Sequence, residues 1–402
     1  MGIAAVTGAL VGLLYLGFEW VVNNGSNWIW NDVFQTDEYR WRVIPLAIAL
    51  SIIFGAALKL LKKRRVIKPD GGLLDELDDI KKTHISDIVV ILIIGSLSLI
   101  AGASLGPEAS LVAASMGLAA FFSGKINALK QPFAFELSIA SLGALLAAFF
   151  NSLLPVVIPL LILKKKNMLN PLSFLVTVIA GVVGWYIIRV IKNEAYIEIP
   201  VTGTFSFYNL AIAAGLGLFS ILLSVVIKAA IKLMHPVAEK IDKKVYWLFG
   251  AIIFGLVLGI LYYAGGQTIQ FSGSEGLKLL SENPAQYSIA ALLGLIIFKL
   301  LATSWSTTTG YRGGLVFPSI YMGAVLSLII SSIFNLTGNT EAGTIIGSIT
   351  GVLMGMTNPI IGVVLAFALF PLSQFSIVIG AVIGALIGFK IVTKLTPGKP
   401  NA

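Results

Sequence analysis

Asp70-Gly71-Gly72-Leu73-Leu74-Asp75-Glu76-Leu77 is echoed by Gly273-Ser274-Glu275-Gly276-Leu277-Lys278-Leu279-Leu280. Ser115-Met116-Gly117 returns as Tyr321-Met322-Gly323, and Phe150-Asn151-Ser152-Leu153-Leu154-Pro155 returns as Thr357-Asn358-Pro359-Ile360. Gly72 and Gly276 are 204 residues apart, Gly117 and Gly323 206, Asn151 and Asn358 207. Landmarks that recur in one order at nearly one offset mark an internal duplication. In an apolar chain, such a duplication places a site where the two halves meet.

The 402 residues are 57% hydrophobic and 12% charged, against roughly 25% charge in a soluble domain. Apolar stretches run over 3–22, 43–61, 88–103, 109–123, 135–163, 172–191, 208–234, 247–264, 287–303, 313–334, 343–370 and 374–395. A spanning helix needs about 20 apolar residues. Several of these runs are shorter, or interrupted by Gly and Pro, which predicts partial-span helices whose broken ends are buried in protein or line a wet cavity. The fold class is therefore an all-α polytopic membrane protein with no room for a soluble domain. There is no cysteine, which excludes disulfides and thiolate metal sites. The net charge of +9 clusters just outside apolar segments, a positive-inside pattern that points to a lipid bilayer as partner and to no nucleic acid. Residues 1–22 lack a cleavage-type ending and are expected to form a first span rather than a signal peptide.

Charge bias gives each half a direction. Lys62-Lys63-Arg64-Arg65 puts 62–82 in the cytoplasm, while Glu19, Asp32, Asp37 and Glu38 mark 23–42 as an external loop. Lys228, Lys232, Lys240, Lys243 and Lys244 mark 228–244 as a cytoplasmic loop; Glu194 and Glu198 mark 192–206 as external. Span 3–22 then runs outward and its counterpart 208–234 inward, so the repeat is inverted. The expected organisation is a first half at 1–191, an external linker at 192–206 and a second, inverted half at 207–402. Lys390, Lys394 and Lys399 place the C-terminus inside with the N-terminus, which suits the plasma membrane.

Three Gly-rich breaks precede apolar helical stretches: Asp70-Gly71-Gly72-Leu73, Gly102-Ala103-Ser104-Leu105-Gly106-Pro107-Glu108-Ala109-Ser110, and Gly310-Tyr311-Arg312-Gly313-Gly314-Leu315-Val316-Phe317-Pro318-Ser319. Gly lets a backbone amide approach a ligand, and Pro suits the first helical position. A helix start presents unpaired N–H groups and a positive dipole end. Several such ends aimed at one point make an anion site without a full positive charge. A buried Lys or Arg would hold an anion too tightly to release it. Each motif alone is equally an ordinary helix start, as Asn170-Pro171 is. What separates Gly106-Pro107-Glu108 is that its acid lies between the apolar runs 88–105 and 109–123. An intramembrane carboxylate is a functional candidate by default. Beside converging amides it occupies the anion's place when ionised and leaves it when protonated, acting as gate and proton carrier.

These residues make the chain similar to the CLC family of chloride channels and proton-coupled antiporters, over nearly its whole length. The family's Gly-Arg-Glu-Gly-Pro motif, whose Glu is the gate, resembles Leu105-Gly106-Pro107-Glu108, with Ala109-Ser110 replacing Gly-Pro. A second register, matching Gly106-Pro107 instead, puts Leu105 at the gate position. The family's Gly-Gly-Ile-Phe-Ala-Pro resembles Gly313-Gly314-Leu315-Val316-Phe317-Pro318; its Phe-Asn-Ala-Pro resembles Phe150-Asn151-Ser152-Leu153; its late Ala-Pro-Leu-Thr-Gly resembles Asn358-Pro359-Ile360-Ile361-Gly362. The resemblance implies transport of a small inorganic anion, chloride first. The anion would be bound by Gly71, Gly72, Leu73, Gly106, Pro107, Ala109, Ser110, Gly314, Leu315, Val316 and Phe317, and gated by Glu108. It also implies homodimers with one pathway per subunit and no cofactor. Against the pattern, Gly71-Gly72 lacks the family's serine, the sequence ends at Ala402 before the family's final helix, and the antiporters' inner acid falls near Ile162 or Leu163. The last point favours a channel, or coupling by another route.

The alternatives are an inverted-repeat carrier of another solute, such as an organic anion or fluoride, and a membrane enzyme. The first needs more polar lining than these spans offer. The second needs a nucleophile–base pair or metal ligands in the membrane, whereas Glu108 is the one deep ionisable group the sequence suggests; no enzymatic activity and no metal site are expected. Arg312 reads either as an anion attractor at a vestibule or as a capping or lipid-head contact. His84 and His235 read as surface residues. Trp20, Trp28, Trp30, Trp41, Trp185 and Trp247 read as an interfacial belt.

Overall fold

In hydrocarbon a backbone must satisfy its own N–H and C=O groups, so apolar runs of this length become helices. The structure, a computed structural model, describes residues 1–34, 37–62, 85–125, 131–197, 199, 201, 205–282, 286–336 and 340–395. Among these residues there is no β-strand. The α-helices are α1 (Gly2–Phe34), α2 (Val43–Lys62), α3 (Ile85–Ile100), α4 (Glu108–Lys125), α5 (Gln131–Phe149), α6 (Val157–Lys165), α7 (Pro171–Ile191), α8 (Phe207–Lys244), α9 (Trp247–Gly265), α10 (Ser274–Glu282), α11 (Ile289–Thr308), α12 (Val316–Phe334), α13 (Glu341–Met356), α14 (Pro359–Leu369) and α15 (Phe375–Leu395). Eight helices among the described residues are long and apolar enough to cross a bilayer; α3, α4, α5, α13 and α14 are apolar but shorter. The 16 residues of α3 reach about 24 Å at the helical rise, short of a hydrocarbon core of about 30 Å. The chain is a multi-pass membrane protein with partial-span helices.

Helix starts recur at the offset that the sequence landmarks gave. Gly2 and Phe207 begin α1 and α8, Val43 and Trp247 begin α2 and α9, Ile85 and Ile289 begin α3 and α11, and Pro171 and Phe375 begin α7 and α15. The Phe150–Pro155 and Thr357–Ile360 landmarks are helix breaks. Asn151 adopts a left-handed φ of 43° between α5 and α6. Asn358 caps α14 by accepting the Ile360 N–H at 3.0 Å.

Several boundaries differ from the sequence expectation. The 23–42 segment is helical as far as Phe34, because the end of α1 packs on the end of α3: the Trp30 indole donates to the Ile100 carbonyl at 2.9 Å. Trp30 is buried, and Trp185 donates to Asn151 O at 3.2 Å, so these two tryptophans hold helix ends together rather than belong to a belt. Trp20, Trp28 and Trp41 are exposed, as a belt requires. The basic 228–244 segment is not a loop but the last turns of α8, where Lys243 pairs with Glu239 one turn earlier. Asn170 is a helix cap as read: with Ser173 it forms a reciprocal capping box at the start of α7.

Two compact units result. The first comprises 1–197, 245–259 and 310–314; the second comprises 198–244, 260–309 and 315–402. Hydrophobicity cannot drive helices together inside lipid, so close backbone approach through small residues does. In the first unit α1, α5 and α7 pack mutually. Gly8 lies against Ala180, Gly12 within Cβ reach of the Gly184 carbonyl, and Gly184 against Ala144. In the second unit α8 packs against α13 and α15, and each partner presents glycines four residues apart. Gly343, Gly347, Gly351 and Gly355 on α13 face Asn209, Ala213, Gly217 and Ser224; Gly380, Gly384 and Gly388 on α15 face Leu210, Ala214 and Leu218.

A Cβ at Gly347 would stand 2.7 Å from the Ala213 carbonyl oxygen, whereas one at Gly215 would meet nothing within 4 Å beyond its own helix. Gly347→Leu is expected to destabilise by at least about 1–3 kcal/mol through overpacking, and Gly215→Leu by little. Thermal unfolding of detergent-purified protein, followed by fluorescence-detected size exclusion, separates the two.

Candidate functional site

The two helices that precede the Gly-rich breaks both stop on a left-handed glycine. After α3, Gly102 takes φ 96°, and the Ala103 N–H returns to Ser98 O at 3.1 Å, a six-to-one closure of the helix end. After α11, Gly310 takes φ 82°. An L side chain is strained there, so glycine ends both helices at positions 208 residues apart. The segment 103–107 then leads into α4, and 311–315 into α12.

Between these turns the chain pairs with itself. Gly106 N–H donates to Gly314 O at 2.9 Å and Gly314 N–H donates to Gly106 O at 2.8 Å, a lone antiparallel bridge among the described residues. These residues are also 208 apart. Reciprocal bonds between equivalent residues are what a local two-fold relation between repeats produces. The Ser98 hydroxyl adds a second tie, accepting the Arg312 N–H at 2.9 Å.

Glu108 opens α4 and folds its side chain back over this bridge. A Cβ on Gly106 would fall on the carboxylate, and one on Gly314 would stand 2.5 Å from both Cδ and Oε2. The missing side chains of two glycines thus make the seat that the carboxylate fills. Glu108 is only 6% exposed, so the acid is buried as the sequence suggested. Its position in the first turn of α4 is where the helix dipole favours a negative group. Leu105 is 1% exposed and faces Gly313, so of the two motif registers it is Glu108, not Leu105, that reaches the seat.

The candidate residues fall into three groups. Gly106, Glu108 and Gly314 are brought together in the first unit, with Pro107 and Ser110 buried nearby and Ala109 half-buried on the first turn of α4. Leu315, Val316 and Phe317 lead into and open α12, with Phe317 buried. Gly71, Gly72 and Leu73 lie outside the described residues. One expected role changes: the Gly106 and Gly314 amides are spent on each other, so these glycines shape the seat rather than donate to an anion. The first i to i−4 bond into α4 is Leu111 N–H to Pro107 O, so the amides of Ala109 and Ser110 precede the helix's own ladder.

Ionisable groups are more numerous in the interior than the sequence suggested. Arg312 is 7% exposed, which rules out a lipid-head contact. Lys299, inside the apolar run of α11, is fully buried. Its ammonium donates to the Ile269 carbonyl at 3.1 Å and to the Phe271 carbonyl at 2.6 Å, and lies 5.1 Å from the centre of the Tyr321 ring. Glu136 on α5 is buried and accepts from the Asn170 amide at 3.2 Å. Glu19 on α1 is buried and paired with Lys192 at 2.5 Å. Lone charged residues within apolar runs, such as Lys299, were the available signal.

A partial-span helix that ends on a left-handed glycine, followed by a helix start that carries a buried carboxylate, suits a membrane transporter of the broken-helix class. Comparison with known proteins gives the family. The sequence profile described as Voltage gated chloride channel matches residues 74–393, and the chain belongs to that family. By that membership it transports an anion across a membrane. A curated relative, an uncharacterized protein from Methanocaldococcus jannaschii, is 28% identical over 319 residues, covering 78% of this chain and 76% of the relative. Among solved structures the fold is similar to a slow cyanobacterial Cl-/H+ antiporter, at TM-score 0.81 and 19% identity over 100% of this chain and 95% of the other. It is also similar to a CLC-type fluoride/proton antiporter, at TM-score 0.72 and 16% identity over 96% and 94%.

The seat yields a direct test. Gly314→Ala puts a methyl group where the Glu108 carboxylate lies, so it is expected to expel that side chain. Anion flux in proteoliposomes should change in the same direction as in Glu108→Gln. The Gly314→Ala/Glu108→Gln double variant should match Glu108→Gln rather than add to it, as coupled neighbours do.

Proposed function

We propose that the chain carries a small inorganic anion, chloride first and fluoride as the alternative, through the seat formed at Gly106 and Gly314, with Glu108 as its gate. The observation that carries this reading is the carboxylate lying over two glycines in the first turn of a helix. An ionised Glu108 is a tethered anion in the anion's place, at a helix start whose dipole favours a negative group. Protonation removes its charge and its claim on the seat, so the anion replaces it. The same proton can then be carried across, which links anion movement to pH. The family's membership and the antiporter activities named for both structural relatives support the anion class and the proton link. The reading is one of transport, not of enzymatic chemistry.

The assembly and setting follow the same reading. The functional unit is a homodimer with one pathway per subunit, placed in the plasma membrane. The basic ends of α2 and α8 support a cytoplasmic location for both termini.

Flux of chloride, fluoride, bromide and nitrate from proteoliposomes tests this. Wild type is expected to transport chloride with a rate that depends on pH, and Glu108→Gln is expected to flatten that dependence while keeping the folded protein. A chloride gradient that drives protons uphill identifies an exchanger; chloride that runs until voltage stops it identifies a channel. Unchanged flux and pH response in Glu108→Gln would remove the gate role.

A further inference from the structure

A second carboxylate lies close to the start of α4, and it too occupies the place of an anion. Glu19 is on α1, 8% exposed. Its carboxylate is bound to the ammonium of Lys192, which is 27% exposed. Lys192 is the residue that closes α7: its N–H returns to Ile188 O at 2.9 Å, and Asn193 follows in the left-handed region with φ 58°. A helix C-terminus favours a cation, so Lys192 stands where the backbone itself stabilises its charge. Against Glu19 is a cavity of about 10 Å³, lined by Tyr15, Glu19, Asn23, Pro107, Leu111 and Tyr196 among others, the scale of a single water. Pro107 and Leu111 are the face of the first turn of α4. The cavity therefore lies between the Glu19 side of the ion pair and the helix start that carries Glu108. Its floor is fixed by Tyr15, which meets the Phe149 ring edge-on at 5.1 Å, and by Tyr196, whose N–H donates to Phe149 O at 2.8 Å.

We propose that Lys192 is the first docking point for the transported anion on its side of the membrane, and that Glu19 is the resident carboxylate with which the anion competes. The inference rests on the Glu108 reading above and extends it to the approach. A partly exposed cation collects anions from solution. A buried carboxylate against it lowers that pull, so the anion is not held so tightly that it fails to move on. With Glu19 on Lys192 the cavity admits nothing larger than a water. The anion that displaces the Glu19 carboxylate both gains the ammonium and opens the way toward Pro107 and Glu108.

The test is the concentration dependence of chloride flux in proteoliposomes, with chloride varied on one face at a time. Glu19→Gln frees the Lys192 charge and is expected to lower the half-saturating chloride concentration by on the order of 10-fold, on one face only. Lys192→Gln is expected to raise it on the same face, and Lys192→Arg to keep it near wild type. If Glu19→Gln alone does not fold, Glu19→Gln/Lys192→Gln carries the test and should match Lys192→Gln. Half-saturating concentrations that stay at the wild-type value in folded Lys192→Gln, or in the double variant, overturn the docking role. Glu108→Gln run alongside keeps the two readings apart. A lost pH response there with unmoved half-saturation in the Lys192 variants defeats only the docking proposal. An unmoved pH response in Glu108→Gln defeats the gate itself.

Discussion

Two backbone hydrogen bonds, exchanged between Gly106 and Gly314, are the constraint on which the site depends. Each is an ordinary amide–carbonyl bond. Their setting makes them matter, because in the membrane interior an unmade one leaves a donor or acceptor with no water to turn to. By answering each other, the two glycines let both chain segments stop being helix at that depth. Because they are glycines, they leave a hollow on the bridge, and the Glu108 side chain fills it. The same absence of side chains thus permits the break in the helix and shapes the space where a negative group sits.

Close packing makes that break tolerable elsewhere. Short helices such as α3, α4 and α13 cannot span the bilayer, so they must be enclosed by longer ones. The glycine series on α13 and α15, and the smaller set on α1 and α7, bring carbonyl-bearing backbones to contact distance. That enclosure is what lets Glu108, Lys299 and Glu136 exist inside an apolar chain. Each buried charged group then meets protein rather than lipid: Lys299 meets a row of carbonyls, Glu136 meets the Asn170 amide, and Glu19 meets Lys192.

Much of this was legible in the residues. The offset between Asn151 and Asn358 lies within three residues of the offset between helix starts, since a duplicated chain duplicates its breaks. Glu108 was legible because an acid flanked by apolar runs has few structural excuses. The length of α1 beyond residue 22 was not, because nothing local says that Trp30 will find the carbonyl of Ile100. Nor was the pairing of Gly106 with Gly314: glycine at a helix start looks the same whether its amide faces an anion or another backbone, and only tertiary structure chooses. Lys299 was hidden for a related reason. A lysine in an apolar run reads as a span end until the carbonyls that receive it, 28 to 30 residues away in sequence, are seen in place.

The distribution of full charges around the seat has a physical logic. A seat shaped by two glycines at a helix start favours a negative group. A cation held in the membrane interior without a partner would keep an arriving anion rather than pass it on. Lys299 avoids that outcome by spending its donors on the Ile269 and Phe271 carbonyls, and Lys192 by standing at the half-exposed end of α7 with a carboxylate already on it. Lys299 is thus turned toward backbone oxygens and Lys192 kept where water can release what it catches, while the seat itself is shaped by glycine and filled by a carboxylate that a single proton can neutralise.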